Sequence, residues 1–561
     1  MKGFLSENPL TLRVVFLSCA FMTFATFNAS TQKVAGPLQI EFGVGEGYTL
    51  FAPLTSKTTY LIDNCGRVIN TWQSDFFPAN TVYLLPNGHL LRTTKMANSV
   101  ITGGGGGGGV EILDWDSKRV WSFVLNNDSL RLHHDVAPLP NGNVLVLVWE
   151  LRKEAEVLAQ GGDPARIPSS GVIWSEQILE LKPLTLTGTE VVWKWSLWDH
   201  LVQQHDNAKP NYGIVSEHPE LVDLNYVSNV TADWIHANSI DYNAALDQIV
   251  LSSPFLNEMW IIDHSTTTTQ AATHQGGRSG KGGDLLYRWG NPRAYGRGTD
   301  NDQKLFFQHD VSWVDDGPYK GGLTVFNNRK GNDFSSIEVI DPPLTLNGTY
   351  SIAEGQPFGP EIPELEFTED PQQDLYSQNM SGVQALPNGH LLICSSRQGF
   401  IYEVDPVSKE RFWFYRSPVT AQGVVGRDFM TTDPNYASDI IFRSTKYPLD
   451  YPAFSSRIIS PAEPIEGEPW ASCSLVTDVE ESIATRPDSF AIYPNPFNDQ
   501  VVIGIGTEDL LRVTIFSLDG KRVVSDEHTG RLVLNTSGLP EGLYIIEVNG
   551  QKSKILKKGN F

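Results

Sequence analysis

Three histidines of this 561-residue chain stand at one offset from a repeated turn. The segment Val82-Tyr-Leu-Leu-Pro-Asn-Gly-His-Leu-Leu recurs as Val136-Ala-Pro-Leu-Pro-Asn-Gly-Asn-Val-Leu and as Val383-Gln-Ala-Leu-Pro-Asn-Gly-His-Leu-Leu. Looser copies are Ile240-Asp-Tyr-Asn-Ala-Ala-Leu-Asp-Gln-Ile and Val311-Ser-Trp-Val-Asp-Asp-Gly. Six residues before the proline position of each turn stand, in chain order, Asn80, His134, His236, His309 and Ser381. A neutral imidazole can attack an electrophile, exchange a proton or ligate a metal. Three that converge suit two chemistries. One is a zinc site of the hydrolytic kind, with a position open to water. The other is a single nucleophile whose neighbours stabilise charge on the group being transferred. No carboxylate shares the register, which weakens the metal reading. The plain alternative is three separate buried histidines satisfied by backbone, and a register shared between different repeat units disfavours it.

The elements that must position these side chains are strands. Each copy reads as strand, tight Asn-Gly-type turn and strand, which is a hairpin signal. A third apolar strand ending in Asp or Glu follows, as in Glu111-Ile-Leu-Asp, Trp260-Ile-Ile-Asp and Tyr402-Glu-Val-Asp. A fourth closes on aromatics, as in Val192-Trp-Lys-Trp and Phe412-Trp-Phe-Tyr. Four strands per unit at an irregular period of about 50–70 residues predict a β-propeller. Five hairpin copies, with a shorter unit from Tyr60 to Trp72 that lacks a clear first strand, predict six blades. An array of β-sandwiches is the alternative. In a propeller the first strand of each blade lines the central channel, so the five aligned residues would face one another there. Asp135 and Asp310, next to two of the histidines, should point away from the channel by strand alternation. The seven glycines at 103–109 have no Lys-Ser/Thr after them and read as a flexible connection, not a phosphate loop.

Composition bounds the partners. Lys+Arg 42 against Asp+Glu 65 gives a net charge of −23, which disfavours nucleic acid and anionic membrane surfaces. The many aromatics, with Gly 49 and Pro 34, suit an all-β chain. Lys2 and Arg13 precede a short apolar stretch at 14–27, expected to be a signal peptide over 1–30; a retained anchor is the alternative. No other apolar run is long enough to span a bilayer, so the mature protein is expected to carry no transmembrane segment. Cys394 lies in an apolar strand, whereas Cys65 and Cys473 lie in loop contexts where a bridge would fasten a circular fold. The propeller is expected over 40–475 and a linker over 476–488. A small β-sandwich over 489–561 carries Tyr493-Pro-Asn-Pro-Phe-Asn, Gly542-Leu-Tyr-Ile-Ile-Glu-Val and a basic ending. The fold expected is thus an all-β, six-bladed β-propeller followed by a small C-terminal β-sandwich.

Two resemblances follow from these motifs. The tail is similar, over its whole length, to the type A sorting domain of the type IX secretion system. That resemblance implies export through the type IX machinery to the cell surface or the medium. Asp233-Trp-Ile-His-Ala-Asn-Ser-Ile, Gln308-His-Asp-Val-Ser-Trp, Ser381-Gly-Val-Gln-Ala-Leu-Pro-Asn-Gly and Ile441-Phe-Arg-Ser-Thr-Lys-Tyr resemble the bacterial arylsulfate sulfotransferases. The resemblance implies a six-bladed propeller that moves a sulfuryl group from an aryl sulfate to a phenol without a nucleotide donor. His309 would be the nucleophile, forming a sulfo-histidine in a ping-pong scheme, with His134 and His236 beside it. That family also uses an arginine after the second histidine, where this chain has Ser253-Pro254-Phe255. Arg329 and Arg397, at the ends of the equivalent strands of the next two blades, are candidates to grip the sulfate instead, with Asn80 and Ser381 as further contacts. No cofactor is called for. The competing readings are a non-catalytic surface propeller binding a ligand or glycan, and a metal-dependent hydrolase or lyase on the same imidazoles.

Overall fold

The computed structural model describes residues 32–33, 35–41, 43–226, 230–426, 430–431 and 440–467. In the C-terminal part it describes 490–493, 500–505, 510–517, 521–529, 532–549 and 551–557. The segment expected to be a signal peptide, Cys473 and the expected linker lie outside the described residues.

Six antiparallel sheets of four or five strands make up the larger part. The second runs Pro78–Leu84, Leu90–Lys95, Gly108–Leu113 and Arg119–Val124. The third runs Leu130–Pro138, Val144–Lys153, Val172–Pro183 and Thr189–Ser196. The fourth runs Ser239–Asn243, Gln248–Ser253, Glu258–Asp263 and Leu285–Trp289. The fifth runs His309–Trp313, Leu323–Asn327, Ser336–Ile340 and Leu365–Phe367. The sixth runs Gly382–Ala385, Leu391–Ser395, Phe400–Val404 and Arg411–Arg416, and Gly36–Ile40 adds an outer fifth strand. The first sheet takes Tyr48–Pro53, Thr58–Ile62 and Val68–Gln73 from the start of the chain, and its leading strand, Ile441–Tyr447, from the other end. This is why its repeat unit lacks a first strand in sequence. The leading strands pack side by side in a closed circuit, that of the sixth sheet meeting that of the first. The fold is an all-β propeller.

The repeated turn has one conformation in three sheets. Gly88, Gly142 and Gly389 take φ of 84°, 84° and 88°, the left-handed region that an L side chain resists. Tryptophans fill the wedges between sheets: Trp193, Trp195 and Trp260 join the third and fourth, and Trp413 with Phe51 and Tyr415 joins the sixth and first. Strands of different sheets do not pair, so their inner N–H groups need side-chain acceptors. Val311 N donates to Ser239 Oγ at 2.9 Å and Trp313 N to Asp241 Oδ2 at 2.8 Å.

Cys65 is disulfide-bonded and Cys394 is a buried free thiol. In the C-terminal part, one sheet of Phe490–Tyr493, Gln500–Ile505 and Leu532–Asn535 shares an apolar core with a second sheet. The second consists of Leu510–Ser517, Arg522–Thr529, Gly542–Val548 and Gln551–Lys557, and the two form a small β-sandwich. No helix among the described residues is long and apolar enough to cross a membrane.

Candidate active site

In three of the sheets the aligned register falls where the leading strand bulges. The ladder slips between Pro78 and Val82, between Leu132 and Val136, and between His309 and Ser312. His134 and Asp310 have left-handed backbones in two of these bulges, with φ of 44° and 56°, and His236 and Ser381 have them just before the leading strands of the fourth and sixth sheets, with φ of 55° and 78°. Such conformations cost energy for residues with a Cβ, and they gather where a side chain must be re-aimed.

These backbone turns bring the histidines to one place. The rings of His134 and His236 meet edge-on with centroids 4.5 Å apart. Phe442, from the leading strand of the first sheet, lies 6.4 Å from His134 and 6.3 Å from His309. All three imidazoles are buried, and each of the other two lowers the proton affinity of His134.

Each ring has one nitrogen fixed by a partner. Asn328 Nδ2 donates to the carbonyls of Ser377 and Met380 at 2.8 and 2.7 Å, so its oxygen must face the other way. That oxygen lies 2.8 Å from His309 Nδ1, with the Phe307 carbonyl at 3.2 Å. Both can only accept, so the proton of His309 sits on Nδ1 and Nε2 keeps its lone pair. Burial lowers the pKa of His309 to about 3, and the ring is neutral at pH 7. His236 Nδ1 donates to Asp233 Oδ2 at 2.5 Å, so its Nε2 faces away from the carboxylate.

His134 ends a chain of three groups. Its Nδ1 lies 2.9 Å from His133 Nδ1, and His133 Nε2 lies 2.9 Å from Glu176 Oε2. Burial raises the Glu176 carboxyl well above its ordinary range and lowers His133 well below its own. The chain has two polarities. With Glu176 protonated, every hydrogen points toward His134 and its Nε2 carries an N–H; with Glu176 ionised, every hydrogen points back and Nε2 carries a lone pair. Trp149 stacks on His133 at 4.1 Å and holds the relay in plane. Sequence reasoning missed His133 and Glu176; the His133-His134 doublet was the only signal.

The glycine run is not a slack connection. Its backbone threads among the site residues, and side chains there would collide with them. A Cβ on Gly103 would meet Trp149 and Trp174 at 2.8 Å, and one on Gly106 the Arg131 guanidinium at 2.6 Å. One on Gly105 would overlap His134 Nε2. Asn80 Nδ2 donates to the Gly105 carbonyl at 2.9 Å, so Asn80 holds this cover. Ser381 Oγ accepts from Ser396 N at 3.0 Å.

Asp135 and Asp310 do not point away from the axis, because the left-handed residue in each bulge breaks the alternation. Both converge on Arg443, with Asp135 Oδ2 2.9 Å from Nη1 and Asp310 Oδ1 2.8 Å from Nε. Tyr83 Oη accepts from the same guanidinium at 2.7 Å and donates to Asp135 at 2.8 Å. Burial works against the charge of Arg443, but the two carboxylates outweigh it and raise its pKa. Arg443 Nη2 makes no hydrogen bond among the described residues. Where the resemblance called for an arginine, Phe255 stacks on His236 with centroids 4.5 Å apart. Arg329 and Arg397 are exposed and meet on one segment, donating to the Gln378 carbonyl at 3.1 Å and to Asn379 Oδ1 at 3.0 Å. The Arg329 guanidinium lies 3.7 Å over the Phe307 ring, whose centroid is 5.9 Å from that of His309. Arg397 donates to Asn379 and, among the described residues, not to the histidines.

This propeller with a histidine-lined axis matches a family described as arylsulfotransferase (ASST) over residues 44–412, well over half of the chain, and the chain belongs to that family. Residues 491–559 match the secretion-system C-terminal sorting domain, which directs export to the cell surface or secretion through the type IX machinery. No curated protein matches the chain. Similar solved structures include a protein of unknown function from Bacteroides caccae, at 11% identity over 72% of this chain and 99% of that one, TM-score 0.37. Virginiamycin B lyase from Staphylococcus aureus is similar at 11% identity over 70% and 89%, TM-score 0.32. Apo AztD from Citrobacter koseri is similar at 10% identity over 72% and 99%, TM-score 0.31.

Proposed function

We propose that the protein transfers a sulfuryl group from an aryl sulfate to a phenol through a sulfo-histidine on His309. The observation that carries this reading is the fixed Asn328 amide, which leaves His309 Nε2 as a buried, unprotonated nucleophile. In the first half, Nε2 attacks sulfur in line, the aryl O–S bond breaks, and the phenolate takes a proton from His134 Nε2–H. The proton lost is restored to His134 through His133 from Glu176. In the second half, the acceptor phenol attacks sulfur, the N–S bond breaks, and the phenol's proton returns along the same chain. Donors around the sulfuryl oxygens stabilise the charge that redistributes. Arg443, with its unbonded Nη2, is the central candidate, and His236 lies beside His134. Arg329 is the rim candidate for gripping the donor, with Arg397 behind it, and Asn80 and Ser381 frame the pocket.

We divide the chain into a signal peptide over 1–30, the propeller over 40–475, a linker over 476–488 and the sorting domain over 489–561. Export would then begin at the inner membrane and finish at the outer one.

A second reading is favoured by one observation. The Gly105 backbone packs on the Nε2 side of His134, where a Cβ would overlap that nitrogen, and so narrows a ligand's access to it. A propeller that binds a surface ligand without catalysis would have no need of such access. Incubation with a chromogenic aryl sulfate, with and without phenol, separates the two. Phenol-dependent release, with label from a radioactive donor mapped to the His309 peptide and lost in His309→Asn, supports transfer. Silence with every donor overturns it.

A further inference from the structure

Apart from the ring histidines, two imidazoles and a carboxylate converge on one point. His200 closes the short turn Leu197–Asp199 behind the outer strand of the third sheet. His274 and Asp284 belong to the excursion 264–284, between Glu258–Asp263 and Leu285–Trp289 of the fourth sheet. His200 Nδ1 and His274 Nδ1 each lie 2.8 Å from Asp284 Oδ1, and the candidate ligand atoms all lie within 4.8 Å of one another.

The hydrogen positions give this cluster its meaning. His200 Nε2 lies 2.8 Å from the Ala271 carbonyl, which can only accept, so the ring hydrogen is on Nε2. Nδ1 then turns a lone pair toward a carboxylate oxygen that has only lone pairs to offer. Two such atoms approach this closely only with a positive charge between them, either a proton or a metal cation. An imidazole whose far nitrogen is held by a backbone carbonyl is also the usual orientation of a metal ligand. Trp195 holds the ring from the side, stacked at 5.6 Å and 5° and donating from Nε1 to the Gly283 carbonyl at 2.7 Å. His200 and Asp284 are buried, whereas His274 is exposed, so solvent can complete the coordination.

We propose that His200, His274 and Asp284 bind a zinc-class divalent transition metal that fastens the 264–284 excursion to the third sheet. Two imidazole nitrogens and one carboxylate oxygen are the donor set that zinc takes in tetrahedral sites, with water as the fourth ligand, and are too nitrogen-rich for calcium or magnesium. The sulfuryl transfer proposed above uses none of these residues, and the two ideas stand or fall separately.

The test is zinc binding by the full chain after exhaustive chelator dialysis. Zinc chloride is titrated in competition with a chromophoric chelator, and cobalt is titrated in parallel for its visible spectrum. The expected result is about one equivalent bound, a cobalt spectrum of four-coordinate type, and a melting temperature that rises with zinc. His274→Ala, which removes an exposed ring, should melt like the wild type without zinc and lose both the bound equivalent and the rise. Asp284→Asn should weaken binding at least tenfold, and His309→Asn should keep it. The proposal is overturned if the wild type binds no zinc against the chelator. It is equally overturned if His274→Ala binds as the wild type does, or if the equivalent disappears in His309→Asn; a proton alone would then fill the place between His200 and Asp284.

Discussion

A histidine attacks only through an unprotonated nitrogen, and at His309 a single amide sets that condition. Asn328 is uncharged, and burial keeps His309 near a pKa of about 3. Its acid form is therefore absent from pH 5 upward, and an acid limb in donor turnover above that value belongs to another group. Asn328→Asp places a carboxylate on Nδ1 and favours the imidazolium, so the limb due to His309 should move up in pH, with kcat lost at pH 6 and recovered toward pH 8. An unchanged pH profile would remove Asn328 from its role. Stability carries the same sign. The unfolded ring takes a proton below about 6.5 and the folded one only near 3, so the stabilisation from the neutral His309 is fully present above the first value and is lost as pH falls toward the second. His309→Asn should thus lose less melting temperature than the wild type between pH 6.5 and 4. Glu176→Gln tests the relay. Gln can still accept from Ala237 N, as Glu176 does at 2.9 Å, while its amide donates to His133 and locks His134 Nε2 as a donor. Loss of acceptor-dependent turnover by about 10²–10⁴-fold is expected, with donor-side sulfation of His309 reduced less. Equal losses in both halves would end the relay.

The element that governs access is the glycine run. Gly105 combines a φ of +73° with direct packing on His134, so Gly105→Ala should cost about 1–3 kcal/mol in stability and displace the imidazole. Gly107 has no left-handed backbone, and a Cβ there would meet the Leu132 carbonyl at 3.3 Å and Ala79 at 3.4 Å, a contact a small shift can relieve. Gly107→Ala should keep most of the stability and activity. Thermal melts and donor turnover of the two variants measure the difference, and equal behaviour would mean that Gly105 does not control the site. The contrast shows what was legible in sequence at this scale. The offset of Asn80, His134, His236, His309 and Ser381 could be read because the Asn-Gly turn repeats and fixes the count back along each strand. The bulges could not, because a left-handed histidine has no signature in residue type. Alternation therefore sent Asp135 and Asp310 the wrong way. The glycine run was misread for a related reason, since composition records the lack of side chains and not what fills the space they leave.

At the scale of the molecule, the ring closes through one strand and one guanidinium. The missing leading strand of the first repeat unit was legible, but not that Ile441–Tyr447 supplies it, because the two ends of the ring are nearly four hundred residues apart in the chain. Arg443 on that strand was legible only as part of a motif, since its partners are more than a hundred residues away. It reaches Asp135 on the third sheet, Asp310 on the fifth and Tyr83 on the second. Asp135 in turn accepts from Ile240 N of the fourth at 3.1 Å, and Asp310 from Val383 N of the sixth at 2.8 Å. One network thus ties the leading strands of all six sheets, which share no ladder with one another. Removing its cation leaves two carboxylates buried against each other. Arg443→Met should therefore destabilise the protein by about 3–5 kcal/mol, read as a lower denaturant midpoint with an unchanged slope. The charge, not the shape, is the source of that cost. Adding Asp135→Asn and Asp310→Asn to Arg443→Met removes the stranded charges but keeps oxygens for the Ile240 and Val383 amides, so the triple variant should regain more than half of the loss. If it unfolds as early as Arg443→Met alone, the ring is held by its apolar wedges and the network is only a passenger at the axis.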